Sequence, residues 1–202
     1  EYAEFHFGDS CFGTENFPKA LADIALESMK GKNTGKALDL GCACGRSSFE
    51  LARTFEQVEA VDFSANFIRL GVGMAEQGSI RYALAEEGDL VSYHTRTLEE
   101  LGLTACADKV SFHQGDACNL NPRFSGYDLV LAGNLIDRLY RPSRFLDSIH
   151  ERINDHGILV VASPYTWLDE HTAKEEWVGG FKKDGENHTT LDGLKEHLGG
   201  HF

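Results

Sequence analysis

Short apolar runs alternate with amphipathic stretches along most of this chain. The apolar runs predict strands at residues 37–41, 58–63, 110–115, 127–132 and 157–163. The amphipathic stretches predict helices at 16–30, 46–55, 65–77, 142–154 and 191–198. Continuously apolar strands separated by helices are typical of a parallel sheet that is covered on both faces. The pattern therefore predicts a doubly wound α/β fold with a mostly parallel sheet, the first strand central and the strand order reversing beside it.

Three segments fall outside this alternation. Residues 1–15 precede the first helix and predict an arm, with the aromatic side chains of Tyr2, His6, Phe7 and Phe12, that covers the site as a lid. Residues 79–108 lengthen the crossover before the third strand, and residues 168–202 form a polar C-terminal segment with one short helix. A length of 202 residues suits one domain over 1–202. Folds of this type often close with a further antiparallel pair of strands, which we expect to be missing here.

Composition and charge exclude several classes of function. A net charge of −13 without a basic stripe argues against a nucleic-acid partner. No apolar run reaches the roughly 18 residues of a membrane span, and the acidic start is unlike a secretory signal. We therefore expect a cytoplasmic protein that binds a small molecule and neither nucleic acid nor membrane. The five cysteines have no disulfide-like spacing, and Cys42 and Cys44 lack a second metal-ligand pair, so we expect reduced thiols and no metal.

A turn with two glycines follows the first predicted strand, in the run ALDLGCACG at 37–45. Gly41 and Gly45, with Cys42 between them, let the backbone turn sharply and approach a ligand closely. The N–H groups at the start of the next helix can receive an anionic group. Taken alone, the motif also fits an ordinary strand-to-helix turn.

Acidic residues follow the next two predicted strands. Asp62 ends the second strand, with Phe63 and Ser64 beside it, and an acid at this place accepts hydrogen bonds from ribose hydroxyls. Asp116 follows the third strand and suits an adenine amino group, with Ala117 and Phe63 as apolar walls. Each acid alone is compatible with a solvated turn residue. Their joint occurrence at successive strand ends predicts a nucleoside-containing cofactor.

A nicotinamide dinucleotide is the natural competitor for such a site. Its fingerprint is Gly-x-Gly-x-x-Gly, because the middle glycine lets the pyrophosphate sit on the backbone. Ala43 holds that middle position here. Asp39 precedes the first glycine, and its carboxylate is awkward beside a pyrophosphate but suits an ammonium or a sulfonium. The sequence therefore favours a sulfonium cofactor.

These motifs resemble those of class I methyltransferases, which have a Rossmann-like fold. The similarity narrows to the N-methyltransferases of ovothiol biosynthesis, which act on 5-thiohistidine (4-mercaptohistidine). The matching runs are FHFG (5–8), ENFPKALADI (15–24), ALDLGCACGRSSFELAR (37–53), QGDACNL (114–120), YDLVLAGNLIDRLYRP (127–142), SPYTWL (163–168) and GENHTTLDGLK (185–195).

That resemblance covers essentially the whole chain. It implies S-adenosyl-L-methionine as the cofactor, S-adenosyl-L-homocysteine as its product and methylation of the ring nitrogen nearest the side chain. Members of this family are often fused behind an iron-dependent sulfoxide synthase, so it also implies such a domain as a partner in the same or another chain. The chain itself contains no iron-binding module.

Polar residues after the fourth predicted strand are candidates for cofactor binding and catalysis. Gly133 and Asn134 come first, and Asn134 suits the amino-acid end of the cofactor or a polar group of the substrate. Asp137 and Arg138 suit the ammonium and carboxylate of an amino-acid substrate. The alternative is that these two side chains pair with each other on the surface.

Aromatic residues after the fifth predicted strand are candidates for binding the substrate ring. Tyr165, also a candidate catalytic residue, and Trp167 can stack on a heteroaromatic ring or pack under the polar tail. Three further residues are candidates for substrate binding: His6 in the arm, and Arg81 and Tyr82 in the long crossover. Each of them is also compatible with a purely structural role.

Two other functions remain open from the sequence. The chain is compatible with a methyltransferase for another small amine, acid or thiol, because a fold alone does not define a substrate. It is also compatible, more weakly, with a non-catalytic module that binds S-adenosylmethionine.

Overall fold

The computed structural model describes residues 1–9 and 13–202. Its helices are α1 (Tyr2–Phe7), α2 (Phe17–Ser28), α3 (Arg46–Leu51), α4 (Ala65–Gln77), α5 (Pro142–Ser148) and α6 (Thr190–Leu198). Its strands are β1 (Lys36–Leu40), β2 (Gln57–Asp62), β3 (Ser79–Ala85), β4 (Val91–Thr97), β5 (Val110–Gln114), β6 (Tyr127–Gly133), β7 (Ile153–Ala162), β8 (Phe181–Lys183) and β9 (Glu186–His188). No helix in these described ranges is long and apolar enough to cross a membrane.

Five of the strands form one parallel sheet in the order β5-β2-β1-β6-β7. Successive residues of the central strand alternate between two apolar layers. Ala37 packs in the layer that includes Phe49 of α3, whereas Leu38 packs in the layer that includes Phe145 of α5. Helices therefore cover both faces, and the predicted doubly wound fold is confirmed.

The strand order reverses between β1 and β6, the two strands that start the two halves of the sheet. In open sheets of this kind, ligands bind in the crevice outside the carboxyl ends of the strands at such a reversal. The loops after β1, β2, β5, β6 and β7 all lie at this one edge, because the five strands are parallel. The fold thus places the predicted strand-end residues on a common rim.

Several element boundaries differ from those predicted. Helix α3 ends at Leu51 instead of residue 55, and α5 ends at Ser148 and gives way to a short 3-10 turn instead of continuing to residue 154. Strand β7 begins at Ile153, before the apolar run that starts at Gly157. Its register against β6 shifts in this stretch, so the polar residues 154–156 form an irregular start that carries no strand-like pattern.

Two antiparallel hairpins were not predicted. The crossover at 79–108 contains the hairpin β3–β4, and the C-terminal segment contains β8–β9 in addition to the predicted helix. Both are two-stranded and largely exposed, so they lack the apolar runs that mark the main sheet. Part of the arm forms helix α1, which was also not predicted. Residues 10–12 of the arm, with Phe12, lie outside the described residues.

Candidate functional site

A cavity of about 800 Å³ opens at the carboxyl edge of the sheet, under α1 and the start of α2. Eleven of the predicted site residues line it: His6, Asp39, Gly41, Asp62, Phe63, Ser64, Asp116, Ala117, Gly133, Asn134 and Arg138. These residues come from the arm and from the ends of four different strands. The structure therefore brings together most of the predicted cofactor site, while the role of each residue stays a prediction.

The loop after β1 has a left-handed backbone at three positions, with φ of +72° at Gly41, +44° at Ala43 and +87° at Gly45. A side chain at Gly41 would also be too close to the methyl group of Leu135, because its Cβ would lie 2.9 Å from Cδ1. The backbone N–H of Ala43 donates to Asp62 Oδ2 at 2.9 Å, which ties this loop to the end of β2.

Asp62 is oriented by backbone donors on both of its carboxylate oxygens. Besides the bond from Ala43, the N–H of Ser64 donates to Oδ1 at 2.8 Å, and the Ser64 hydroxyl caps helix α4. Burial raises the pKa of Asp62, and the two backbone bonds oppose this shift. Each carboxylate oxygen has a second lone pair, which suits the hydroxyls of a ribose. Phe63 beside it is 75% exposed and offers the cavity an aromatic wall.

Asp39 is the most buried acid of the cavity wall. Its Oδ2 accepts hydrogen bonds from the hydroxyls of Ser47 at 2.7 Å and Ser48 at 2.6 Å. Burial raises the pKa of Asp39 to about 6, against the opposing effect of these two bonds, and the nearby Asp62 adds to the increase. A buried carboxylate without a cationic partner is unfavourable, so this position favours a ligand with a positive charge.

Asp116 is held by one backbone and one side-chain donor. The N–H of Cys118 donates to Oδ1 at 2.8 Å, and the hydroxyl of Tyr140 donates to Oδ2 at 2.9 Å. Tyr140 follows β6 and also lines the cavity, although the sequence analysis did not select it. The bond to Asp116 raises the pKa of Tyr140. The hydrogen bond between Tyr140 and Asp116 joins the β5 and β6 sides of the crevice.

Cys42 and Gly45, two of the predicted cofactor contacts, do not line the cavity. Cys42 is buried in the core on the far side of the loop. A Cβ at Gly45 would lie 2.4 Å from Cε1 of Phe112, on β5. The glycine is therefore required both for its backbone conformation and for packing between the loop and the sheet.

Asp137 does not face the cavity either, although we expected it to bind a substrate ammonium. Its side chain is fully buried and accepts bonds from Ser163 Oγ at 3.1 Å, Thr166 Oγ1 at 2.8 Å and Arg138 Nη1 at 3.0 Å. The short 3-10 turn at Ile136–Arg138 directs the two neighbouring side chains differently. Asp137 anchors the loop after β7, and Arg138 reaches the cavity wall.

The aromatic residues of that loop lie outside the cavity. Tyr165 is 45% exposed, and its N–H donates to Ser163 Oγ at 3.1 Å. Trp167 stacks on Trp177 with ring centroids 6.1 Å apart and donates to Thr190 Oγ1 at 2.9 Å. The alternative of packing under the tail therefore describes Trp167, and stacking of either ring on a substrate stays a prediction.

Arg81 and Tyr82 are also outside the cavity, because they belong to the hairpin β3–β4. The guanidinium of Arg81 lies over the ring of Tyr93, 4.8 Å from its centroid. The hydroxyl of Tyr82 donates to the carboxylate of Glu4 in α1. Tyr82 thus contacts the arm instead of a substrate.

The arm covers one side of the cavity through Tyr2, Phe5 and His6. His6 is buried, and its Nδ1 accepts the backbone N–H of Arg46 at 3.3 Å. Burial, together with the positive charge of Arg46, lowers the pKa of His6 to about 4. The imidazole is therefore neutral near pH 7 and holds the arm against the start of α3. This position matches the predicted lid, whereas its motion stays a prediction.

The β7 side of the cavity has two further ionisable residues that were not predicted from the sequence, Glu170 and His171. They lie in the polar segment after β7, where charged residues are frequent and follow no periodic pattern. The only signal in the sequence was their position shortly after a strand whose end faces the crevice.

Metal binding finds no support among residues 1–9 and 13–202, where no three His, Cys, Asp or Glu side chains group at a distance suited to an ion. Burial raises the pKa of Cys42 well above its ordinary value and that of Cys44 to about 12. Both thiols are therefore protonated at neutral pH when no ligand is bound.

A family model described as "Methyltransferase domain" matches residues 38–161. No curated protein sequence matches the chain.

Three solved structures show the same fold. The [4+2]-cyclase SpnF has a TM-score of 0.61 at 17% identity, over 96% of this chain and 61% of its own. An S-adenosylmethionine-dependent methyltransferase from Clostridium acetobutylicum has a TM-score of 0.52 at 15% identity, over 74% and 50%. The YcgJ protein of Bacillus subtilis has a TM-score of 0.52 at 11% identity, over 70% and 49%. The chain spans about half to three-fifths of the length of these proteins.

Proposed function

Because this chain belongs to the methyltransferase domain family and uses S-adenosylmethionine as its cofactor, we propose that it methylates a ring nitrogen of 5-thiohistidine to give ovothiol. The observation that supports an amino-acid substrate is Arg138, a cationic residue that lines the cavity. The similarity of the GNLIDRLY and SPYTWL runs to the ovothiol enzymes narrows the substrate to 5-thiohistidine.

The residues of the β1, β2 and β5 ends fit the cofactor in chemical type. Asp62 suits its ribose hydroxyls, and Asp116 suits its adenine amino group. The buried Asp39 favours its ammonium and sulfonium charges. When bound, S-adenosylmethionine supplies an electrophilic methyl group on a positively charged sulfur. In our proposal these carboxylates, with Phe63 as an apolar wall, hold the cofactor in one orientation.

Arg138 is suited to bind the carboxylate of the substrate. Its Nη1 donates to Asp137 O, Asp137 Oδ2 and Thr166 O at 3.0 Å each, and its Nη2 donates to Thr166 Oγ1 at 3.2 Å. These bonds do not use Nε–H or the second N–H of Nη2. A guanidinium that presents two N–H groups in a fixed plane matches a carboxylate. Asp137 and Thr166 thus orient Arg138 for that contact.

Methyl transfer to nitrogen is an in-line displacement, so positioning is the main task of the protein. Holding two reactants in line can lower the barrier by roughly 7–11 kcal/mol. The arm, with Tyr2, Phe5 and His6 over the cavity, excludes water from the reacting groups. In this account, the carboxylates hold the cofactor, Arg138 holds the substrate and the arm closes the site.

Mass spectrometry of reaction products tests the proposal. The protein is incubated with S-adenosylmethionine and a panel of 5-thiohistidine, histidine, other histidine-derived thiols and small amines and acids. We expect 5-thiohistidine to gain one methyl group and histidine, which lacks the sulfur, to react poorly. Methylation of another member of the panel instead would show that the substrate is wrong while the methyltransferase class stands.

A further inference from the structure

One end of the cavity is formed by a carboxylate and an imidazole on the segment after β7. Glu170 and His171 both line the cavity, as do Arg138 and Pro164. The Nε2 of His171 lies 3.4 Å from Oε1 of Glu170. Because β7 neighbours β6, this segment borders the part of the cavity that Arg138 reaches, away from β2 and β5.

We propose that His171 is the general base of the methyl transfer and that Glu170 is a positioning residue that orients its imidazole. The inference rests on the proposed function, since it concerns the proton of that substrate. In this proposal the Glu170 carboxylate, 3.4 Å from Nε2 of His171, favours the tautomer with the proton on Nε2, which leaves the lone pair of Nδ1 available to accept a proton. A carboxylate beside an imidazole selects the tautomer and stabilises the imidazolium that forms.

The backbone that carries His171 is fixed by a buried neighbour. Thr172 is fully buried, and its hydroxyl donates to the carbonyl oxygen of Leu139 at 2.7 Å. The N–H groups of His171 and Thr172 both donate to Leu168 O at 3.0 Å, and Trp177 Nε1 donates to Thr172 O at 2.9 Å. Since Leu139 directly follows Arg138, these bonds hold the backbone at His171 at a set place relative to the backbone at Arg138. Rigid support of this kind is what a catalytic group requires.

The other ionisable groups of the cavity are less suited to this role. In the described part of the chain they are Glu1, Tyr2, His6, Asp39, Asp62, Asp116, Arg138 and Tyr140. Glu1, Tyr2 and His6 belong to the arm, and Nδ1 of His6 already accepts a backbone N–H. The three aspartates follow the strands of the cofactor side, Arg138 has no lone pair, and the Tyr140 hydroxyl donates to Asp116.

The proposed reaction transfers one proton to His171 and one methyl group to the substrate nitrogen. A 5-thiohistidine with a thiolate and a protonated ring bears a proton on the ring nitrogen that is to be methylated. That proton passes to Nδ1 of His171, and the freed lone pair forms the new nitrogen–carbon bond. The bond between the methyl carbon and sulfur breaks, and its electron pair stays on the sulfur, which becomes a neutral thioether. The positive charge thus ends on His171, beside the Glu170 carboxylate, and the proton then leaves to water.

Substitution His171→Gln tests the base directly, with His197→Gln as the matched control. His197 also pairs with a carboxylate, Asp147, at 2.6 Å, but it lies outside this cavity. Loss of a general base lowers kcat by about 10²–10⁴-fold. We expect that loss in His171→Gln, with an unchanged cofactor Kd by calorimetry, and wild-type kcat in the control. The acid limb of the wild-type pH–rate profile should disappear.

Three further measurements do not depend on the fold or turnover of His171→Gln. In wild-type protein bound to S-adenosylhomocysteine, addition of 5-thiohistidine should shift the NMR signal of the His171 ring C–H. Glu170→Gln leaves the imidazole in place, and we expect about a tenfold lower kcat and an acid limb moved to lower pH. Added imidazole should restore part of the activity of His171→Ala.

The outcomes separate this inference from the proposed function. Wild-type kcat and an intact acid limb of the pH–rate profile in His171→Gln would show that His171 is not the general base. The assignment of 5-thiohistidine as the substrate would be unaffected. If the protein methylates another acceptor and His171→Gln loses that activity, the assignment of 5-thiohistidine as the substrate is wrong. The role of His171 as the general base then still holds. A wild-type protein that methylates no member of the panel would contradict both.

Discussion

Asp39 shows at the scale of one residue how the fold prepares a site for a cation. Burial raises its pKa to about 6, from an ordinary value of 3.8. The difference corresponds to roughly 3 kcal/mol in favour of the protonated form. A cationic ligand reverses this preference, because the carboxylate then has a partner. The acid is therefore poised to couple the binding of a positive charge to the release of a proton.

The pH dependence of cofactor binding follows from this coupling. As the pH rises through about 6, Asp39 loses its proton in the free protein, so affinity for S-adenosylmethionine should increase between pH 5 and pH 7. Asp39→Asn should weaken binding about tenfold at pH 7.5 and flatten the pH dependence, as measured by calorimetry. Without ligand, the raised pKa means that the free energy of unfolding falls as pH rises from 3.8 towards 6, and the same variant should remove this fall.

Asp147→Asn, a change at a surface acid of α5, is the control for that experiment. It should leave both the affinity and its pH dependence as in the wild type. An affinity of wild-type protein that does not change between pH 5 and pH 7 would contradict the role of Asp39.

Gly45 is a second case in which one residue can be tested alone. Its φ of +87° is strained for other residues, and a Cβ would lie 2.4 Å from the Phe112 ring. We expect Gly45→Ala to lower the free energy of unfolding by about 1–3 kcal/mol in denaturant titrations. Gly73→Ala is the matched control, since it lies within α4 with open space around its Cβ. That change should stabilise the protein by up to about 1 kcal/mol.

Phe112→Leu in the Gly45→Ala background should recover part of the loss, because the smaller side chain makes room for the methyl group. Equal stabilities of wild type and Gly45→Ala would show that the contact with Phe112 does not constrain this position.

At the scale of elements, the hairpin β3–β4 acts as a support for the arm. Tyr82 donates to Glu4 of α1, and Arg96 donates to Asp9 Oδ2 at 2.6 Å. The hairpin is not part of the main sheet. It therefore can hold the arm over the cavity without contributing to the strand edge at which we propose that the cofactor binds.

Removing one of these contacts should loosen the arm and leave the sheet intact. We expect Tyr82→Phe, which keeps the ring stacked on His94, to raise the dissociation rate of S-adenosylmethionine several-fold in stopped-flow measurements. Deletion of residues 1–9 should raise it further and slow turnover. Tyr93→Phe, on the exposed face of the same hairpin, is the control and should have no effect. Wild-type dissociation rates in both Tyr82→Phe and the deletion would show that the arm is passive.

The main elements could be predicted from the sequence because their signals are local. The mostly apolar strands β1 and β6 and the capped helices α2 and α4 follow from short-range patterns. The hairpins could not be predicted in this way. Apolar and polar residues alternate only weakly in β3 and β4, and few of their side chains are buried. The start of β7 was missed because its register shift depends on pairing with β6.

At the scale of the whole molecule, the cofactor half of the site was more predictable than the substrate half. Parallel strands end at one edge, so Asp62 and Asp116 were expected to meet from their positions alone. The directions of Asp137 and Arg138 depend on a single 3-10 turn, which adjacency in the sequence does not reveal. His171 faces the cavity because Thr172 is anchored on Leu139, a contact between distant segments.

The crevice has acidic residues, which suit a cationic cofactor, on one side. It has a guanidinium and an imidazole on the other side. This division of charge suits a zwitterionic substrate placed beside a sulfonium, and it is the physical basis of the proposed reaction.

The most direct test of this account is to locate the transferred methyl group. S-adenosylmethionine carrying a ¹³C-labelled methyl group is incubated with 5-thiohistidine and the protein, and the product is examined by NMR. We expect a labelled methyl on the ring nitrogen nearest the side chain. Label on the sulfur, on the α-amino group or on the other ring nitrogen would contradict it, as would the absence of label from 5-thiohistidine altogether.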